Sequence, residues 1–249
     1  MIILGCDIES TGLDPNVDEI VEIGMVIYDT HNKRHLALHS DMLQTTVSLK
    51  DTMSIHGIND EMAKSGYDVL YNPWKIIEHY KPVLIVAHNA EFDKSFMVKR
   101  WSEFKSLQWV CTKKDLQHDQ MIGYTSSSRL QHLAVDYGLY QGNAHKALWD
   151  ALTCCEIAAQ HDLNLVLAHL NEPRYIIEAW YNGKDFDSHD FLIQKQYLKK
   201  AGFKWDSAHK IWVKNGVPES LRDKYVALAT NKPDWQSSVI LYVEDANEK

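Results

Sequence analysis

IILGCDIES, Ile2–Ser10, is the stretch that decides the fold. Its β-branched and aliphatic run reads as a strand. The two-residue period of a strand sends Asp7 and Glu9 to one face and Ile8 to the other, into a core. Two like charges aimed together repel, and a cation between them removes the conflict. Hard oxygen ligands that leave water on the ion suit Mg²⁺ or Mn²⁺. An isolated D-x-E is equally the solvated face of an edge strand. Here it stands at the end of a hydrophobic first strand and before the Thr11–Gly12 turn, where α/β folds place their ligands.

Working outward, Ile20 to Tyr28 is a second Ile- and Val-rich strand, and a third around Leu36 to Val47 completes a meander after the turn at Asp29 to Lys33. Short helical pieces follow from Asn59 and from Pro73. The apolar run Val83 to Ala87 reads as a buried strand. A helix starts directly after it, with Asn89 as candidate cap and Phe92 and Phe96 on one face. A short strand near Trp109 to Cys111, a helix from about Arg129 and a longer one from about Lys146 to His169 finish the unit. Three early strands followed by alternating strands and helices predict an α/β fold with a mixed sheet covered by helices. Asn171 and Pro173 mark a boundary. Beyond it lies a small α+β appendage with a helix near Asp190 to Lys200 and a hairpin turning around Asp206 to His209. The expected domains are thus residues 1–170 and 171–249.

Asp93, in AHNAEFDKSF, falls in the first turn of the helix after the buried strand. Such an Asp also serves simply to complement the helix dipole. His88 and Asn89, polar groups at the strand end, are candidate phosphate donors or carboxylate-orienting groups. His145 and Asp150 are five residues apart, which is roughly 140° around a regular helix. They share a site only if His145 precedes the helix on a loop, and Gly142 and Asn143 favour that. A loop-borne imidazole with an ordinary pKa of about 6.5 suits a general base near neutrality. Without its companions, His145 would read as one more surface histidine among 13.

Taken in order, DIESTGL, HNAEFD and HKALWD resemble the three motifs of the DEDDh branch of the DEDD 3′→5′ exonucleases, and SIHGIND at 54–60 is similar to the HGI-containing stretch between the first two. The resemblance covers roughly residues 1 to 165 and is nearest to exonuclease X and the proofreading-type members. It implies an RNase H-like three-layer fold with a central five-stranded mixed sheet. It also implies two Mg²⁺ ions, replaceable by Mn²⁺, about 3.5–4 Å apart. Asp7 would bridge them, Glu9 and Asp150 would complete the first ligand set, and Asp93 would hold the second ion partly through water. His145 would be the base. Ser10, Thr11, Gly12 and Leu13 would meet the terminal nucleotide, with His56, His88 and Asn89 as further substrate contacts. Leu13 alone is also an ordinary surface leucine.

The composition is that of a globular chain, with 45% hydrophobic and 24% charged residues in 249. No run is long enough to span a bilayer, and the opening segment lacks the basic region of a signal peptide, so a soluble cytoplasmic protein with reduced thiols is expected. A net charge of −8 runs against nucleic-acid binding until it is divided. Residues 1–170 hold 14 basic and 22 acidic groups, while residues 171–249 hold 12 of each. Residues 195–214 carry six lysines against Asp206 alone. With Trp205 and Trp212 among them, they fit phosphate contacts and base stacking, or a minimal core wrapped in lysines. The expected substrate is a DNA 3′ end, single-stranded or frayed, without a membrane partner. RNA as substrate, a proofreading subunit docked to a polymerase or another replication or repair partner, and a silent nucleic-acid-binding module stay open.

Overall fold

The computed structural model describes residues 1–67, 72–123, 125–139 and 144–242. Gly142 and Asn143, read above as loop formers, lie outside the described residues. Contacts divide the chain into two compact units: Met1–Leu116 with Ser127–His161, and Gln117–Ser126 with Asp162–Lys249.

In the first unit, β1 (Ile2–Ser10), β2 (Ile20–Asp29) and β3 (Arg34–Met42) form an antiparallel meander. Then come α1 (Met53–His56), α2 (Asp60–Lys64), α3 (Trp74–Tyr80), β4 (Leu84–Ala87), α4 (Glu91–Arg100) and β5 (Gln108–Cys111). The five strands make one mixed sheet in the order β3-β2-β1-β4-β5, with β4 and β5 parallel to β1. The α/β class and the five-stranded mixed sheet follow the expectation. Leu4, Cys6 and Ile8 face a core shared with Phe96, Met97 and Trp101. Gly5, Asp7 and Glu9 face the opposite way, as the pleat requires.

That second face is covered by α7 (Ala147–Ala158), after α5 (His118–Ile122) and α6 (Leu130–Asp136) in chain order. Two glycines permit the approach. A Cβ at Gly5 would overlap the Ala151 carbonyl and the Cys155 sulfur, and one at Gly24 would overlap the Ala147 backbone. Gly24 is the cross-strand partner of Asp7, so its bare Cα brings the first turn of α7 beside the first acidic motif.

The long helix expected over Lys146 to His169 is two helices. α7 ends at Ala158, and Asp162 caps α8 (Leu163–Leu170) by accepting from the N–H groups of Asn164 at 3.0 Å and Leu165 at 3.3 Å. An Asp that offers its carboxylate to two orphan donors starts a new helix rather than continuing an old one. The third strand likewise stops at Met42, short of Val47.

The second unit holds α5 and α8, then β6 (Arg174–Tyr181), α9 (His189–Lys200), β7 (Lys204–Asp206), β8 (Ile211–Pro218), α10 (Glu219–Ala229) and β9 (Trp235–Tyr242). The sheet runs β7-β8-β6-β9, antiparallel throughout, and the expected α9 and β7–β8 hairpin are present. Lys214 corrects the count of available lysines. It is 7% exposed, and its Nζ donates to Asp119 Oδ1 at 2.9 Å, while the Tyr225 hydroxyl donates to Oδ2 at 2.6 Å. Burial pushes the Lys214 ammonium down and Asp119 opposes the shift. The tryptophans divide: Trp212 is buried in the core, and Trp205 packs 5.6 Å from it but stays 51% exposed. All four cysteines are buried and free. Among the described residues, no helix is long and apolar enough to cross a membrane.

Candidate active site

Each acidic motif enters from a separate element, and the first unit brings them together at the carboxyl ends of β1 and β4. Asp7 and Glu9 project from β1 towards α7. β1 pairs with β4 at Leu4–Ile85 and Gly5–Val86. Beyond that pairing, the Ile8 N–H is taken by Asp93, whose Oδ1 accepts at 3.0 Å. Asp93 sits in the first turn of α4 and is 2% exposed. The bond joins the second motif to the backbone between the two acids of the first.

Asp150 lies in the first turn of α7, and its Oδ2 accepts the backbone N–H of His145 at 3.1 Å. His145 precedes the helix, is exposed, and takes a left-handed backbone with φ 58°. This turn overcomes the helical angle that would otherwise separate the two. One side-chain donor atom from each of Glu9, His145 and Asp150 lies within 4.8 Å of the others.

The crowding is legible in the acidities. Burial first, then the charges of Asp93, Asp150, Glu9 and Glu22, hold Asp7 well above the usual carboxylate range. Burial dominates for Asp93 too, against the stabilising N–H groups of Ile8 and of its own backbone. Glu9 is pushed up to about 7 by burial, Glu22 and Asp150, with Lys146 opposing. Asp150 is raised by burial and Glu22, against the His145 N–H and charge. Carboxylates that resist sharing one pocket as anions are the donor set a divalent cation satisfies, so the residues fit a Mg²⁺-type ion.

Residues 4–158 match the sequence model of the exonuclease family of RNase T type. The chain belongs to the exonuclease family. The DNA polymerase III subunit epsilon of Treponema pallidum (strain Nichols) is 30% identical to it over 163 residues, covering 61% of this chain and 72% of that protein. The 3′-5′ exonuclease DinG of Staphylococcus aureus (strain USA300) is 25% identical over 155 residues, 61% of this chain but 17% of that protein. Among solved structures, E. coli exonuclease I with a dT13 oligonucleotide gives a TM-score of 0.56 at 13% identity, over 71% of this chain and 48% of that one. The nuclease domain of 3′hExo, a DEDDh family member bound to rAMP, gives 0.52 at 19%, over 64% and 90%. At these identities the two structures share the fold. The chain thus spans most of the epsilon subunit, about half of exonuclease I and a small part of DinG.

The other candidate contacts are placed by separate devices. Asp18 staples the turn after β1: it accepts from Thr11 Oγ1 at 3.0 Å and from the Asp14 N–H at 2.9 Å, and a Cβ at Gly12 would strike its carboxylate. Ser10 donates to the Gly12 carbonyl at 2.6 Å, and Leu13 stands 84% exposed on the resulting rim. His56 is buried, its Nδ1 accepting the Ile58 N–H at 3.0 Å, and its ring approaches the Ser10 backbone. Burial, followed by Lys146, lowers its pKa. His88 is turned to Thr112, with Nδ1 2.8 Å from Oγ1. Asn89 is not the cap of α4. That position is Ala90, and Asn89 takes a left-handed φ of 59°, which its short polar side chain tolerates.

Two residues escaped sequence reasoning. Lys146 lends its charge to Glu9 and donates its Nζ to the His56 carbonyl at 2.7 Å, tying the HGI turn to the start of α7. Glu22 lies opposite Glu9 in the β1–β2 register. A single acid in the otherwise apolar IVEIGMV was the available signal for it.

Proposed function

We propose that this exonuclease removes nucleotides from the 3′ end of DNA and releases nucleoside 5′-monophosphates. Asp7, Glu9, Asp93 and Asp150 hold two Mg²⁺ ions and His145 is the general base. The convergence of those four carboxylates, with Asp93 held by the Ile8 N–H and Asp150 by the His145 N–H, carries the reading. When bound, the ions supply charge neutralisation at the attacking and departing oxygens of an in-line displacement. A ring nitrogen of His145 takes the proton of the attacking water, and the bond from its backbone to Asp150 keeps the ring at the acidic cluster. The 10–12 backbone and Leu13 receive the terminal nucleoside, with His56 behind them and His88 and Asn89 towards the phosphate. In the second unit, the exposed Lys195, Lys199, Lys200, Lys204 and Lys210 supply phosphate contacts and Trp205 a surface for base stacking.

The test is a set of matched 5′-labelled single-stranded DNA, duplex DNA and RNA, incubated with Mg²⁺ and resolved as ladders. Stepwise shortening of DNA, stopped by EDTA and restored by Mg²⁺ or Mn²⁺, is expected. Ladders on RNA alone would move the substrate to RNA. Activity supported by Zn²⁺ with Mg²⁺ inert would reject the oxygen-ligand assignment.

A further inference from the structure

Glu22 has a place in the fold that packing alone does not explain. It stands on β2 directly opposite Glu9, so the two carboxylates share the face covered by α7. It is 8% exposed. Ser40 Oγ donates to Oε1 at 3.2 Å, but Oε2 is buried and makes no hydrogen bond among the described residues. Like charges opposite one another in an antiparallel pair destabilise the sheet, and a buried acceptor without a donor adds to the cost. Gln at this position would fill the same volume, keep the Ser40 bond and remove the charge repulsion. A carboxylate is favoured there only if something positively charged, or a donor polarised by it, completes the site.

We infer that Glu22 is a fifth carboxylate of the metal site, accepting a hydrogen bond from the hydration shell of the cation held by Glu9 and Asp150. This rests on the reading that a divalent cation binds there. Two observations tie Glu22 to that site. It faces Glu9 across the β1–β2 pairing with a buried oxygen left without a donor, and its charge reaches Asp7, Glu9 and Asp150. Mg²⁺ dehydrates reluctantly and keeps several waters, whose protons need acceptors on the protein. Glu22 is therefore a positioning residue: it orients that water and, by its charge, holds the cation against the β1 carboxylates.

The experiment compares full-length wild type with Glu22→Gln by titration calorimetry with Mg²⁺ and Mn²⁺, and by melting in EDTA. Affinity should fall roughly 10–100-fold in the variant, the range for loss of an outer-shell partner. Its melting temperature in EDTA should equal or exceed that of wild type, because the negative charge facing Glu9 has been removed. Wild-type affinity to within about twofold in Glu22→Gln would overturn the inference while leaving the metal site standing. A lower melting temperature in EDTA would overturn it as well, since the carboxylate would then be stabilising without a cation. If wild type binds neither ion, the metal reading itself has failed and Glu22 falls with it.

Discussion

Glu9→Gln, melted without metal across pH, isolates the electrostatic cost of the acidic cluster. Folding raises Glu9 from 4.5 to about 7, and each pKa unit corresponds to about 1.4 kcal/mol. The Glu9 share is thus about 3 kcal/mol in full. The sign follows from which state holds the proton. Below pH 4.5 both folded and unfolded chains keep Glu9 neutral, and the group makes no difference. Between 4.5 and 7 the unfolded chain has lost the proton and the folded one retains it, so wild-type stability falls as pH rises and levels off above 7. Asp7, Asp93 and Asp150 are raised in the same direction and steepen the fall.

In EDTA, calorimetric melts at pH 5, 6, 7 and 8 should show Glu9→Gln close to wild type at the acid end. At pH 8 it should be more stable by about 3 kcal/mol, or roughly 6–12 °C for a unit of this size. Adding Mg²⁺ should reverse the order at pH 8. Binding to the folded state alone contributes about 4.1 kcal/mol at a thousandfold excess over Kd, more than the gap of about 3 kcal/mol, and it strengthens with pH because the ligands must be ionised. A gap between variant and wild type that does not change with pH would refute the crowding argument. So would a Glu9→Gln protein less stable than wild type at pH 8 in EDTA.

His145→Ala should lower kcat by about 10²–10⁴ while Mg²⁺ affinity, read by calorimetry, stays put; a large loss of affinity would place His145 among the ligands with Glu9 and Asp150. Replacing Lys200, Lys204 and Lys210 together by Ala should lower the slope of log K against log salt for single-stranded DNA by roughly two, at about 0.7 per phosphate, measured in Ca²⁺. Trp205→Ala should cost about 1–3 kcal/mol of binding if a base stacks there. Unchanged slopes and affinities in those variants would leave the second unit without a role in gripping nucleic acid.

What the sequence made readable was local. The period of β1 alone assigns Asp7 and Glu9 to one face and Ile8 to the core, and the angular argument for His145 needs only the five-residue interval to Asp150. The rest depends on register and on distant partners. Glu22 meets Glu9 only because β2 pairs with β1 in the one frame that places Gly24 against Asp7, and that frame ends at a shift between Glu9 and Ser10. The helical pattern from Lys146 onward does not announce its break, because Ala, Gln and His continue a helix as readily as they end one. Lys214 shows the limit of counting charges. Its partner Asp119 is 95 residues away, and nothing in either neighbourhood distinguishes this lysine from the exposed Lys210. Gly5 and Gly24 belong to none of the acidic motifs. Yet the site depends on them, since a side chain at either position would hold α7 away from the sheet and carry Asp150 and the turn bearing His145 out of reach of Asp7 and Glu9.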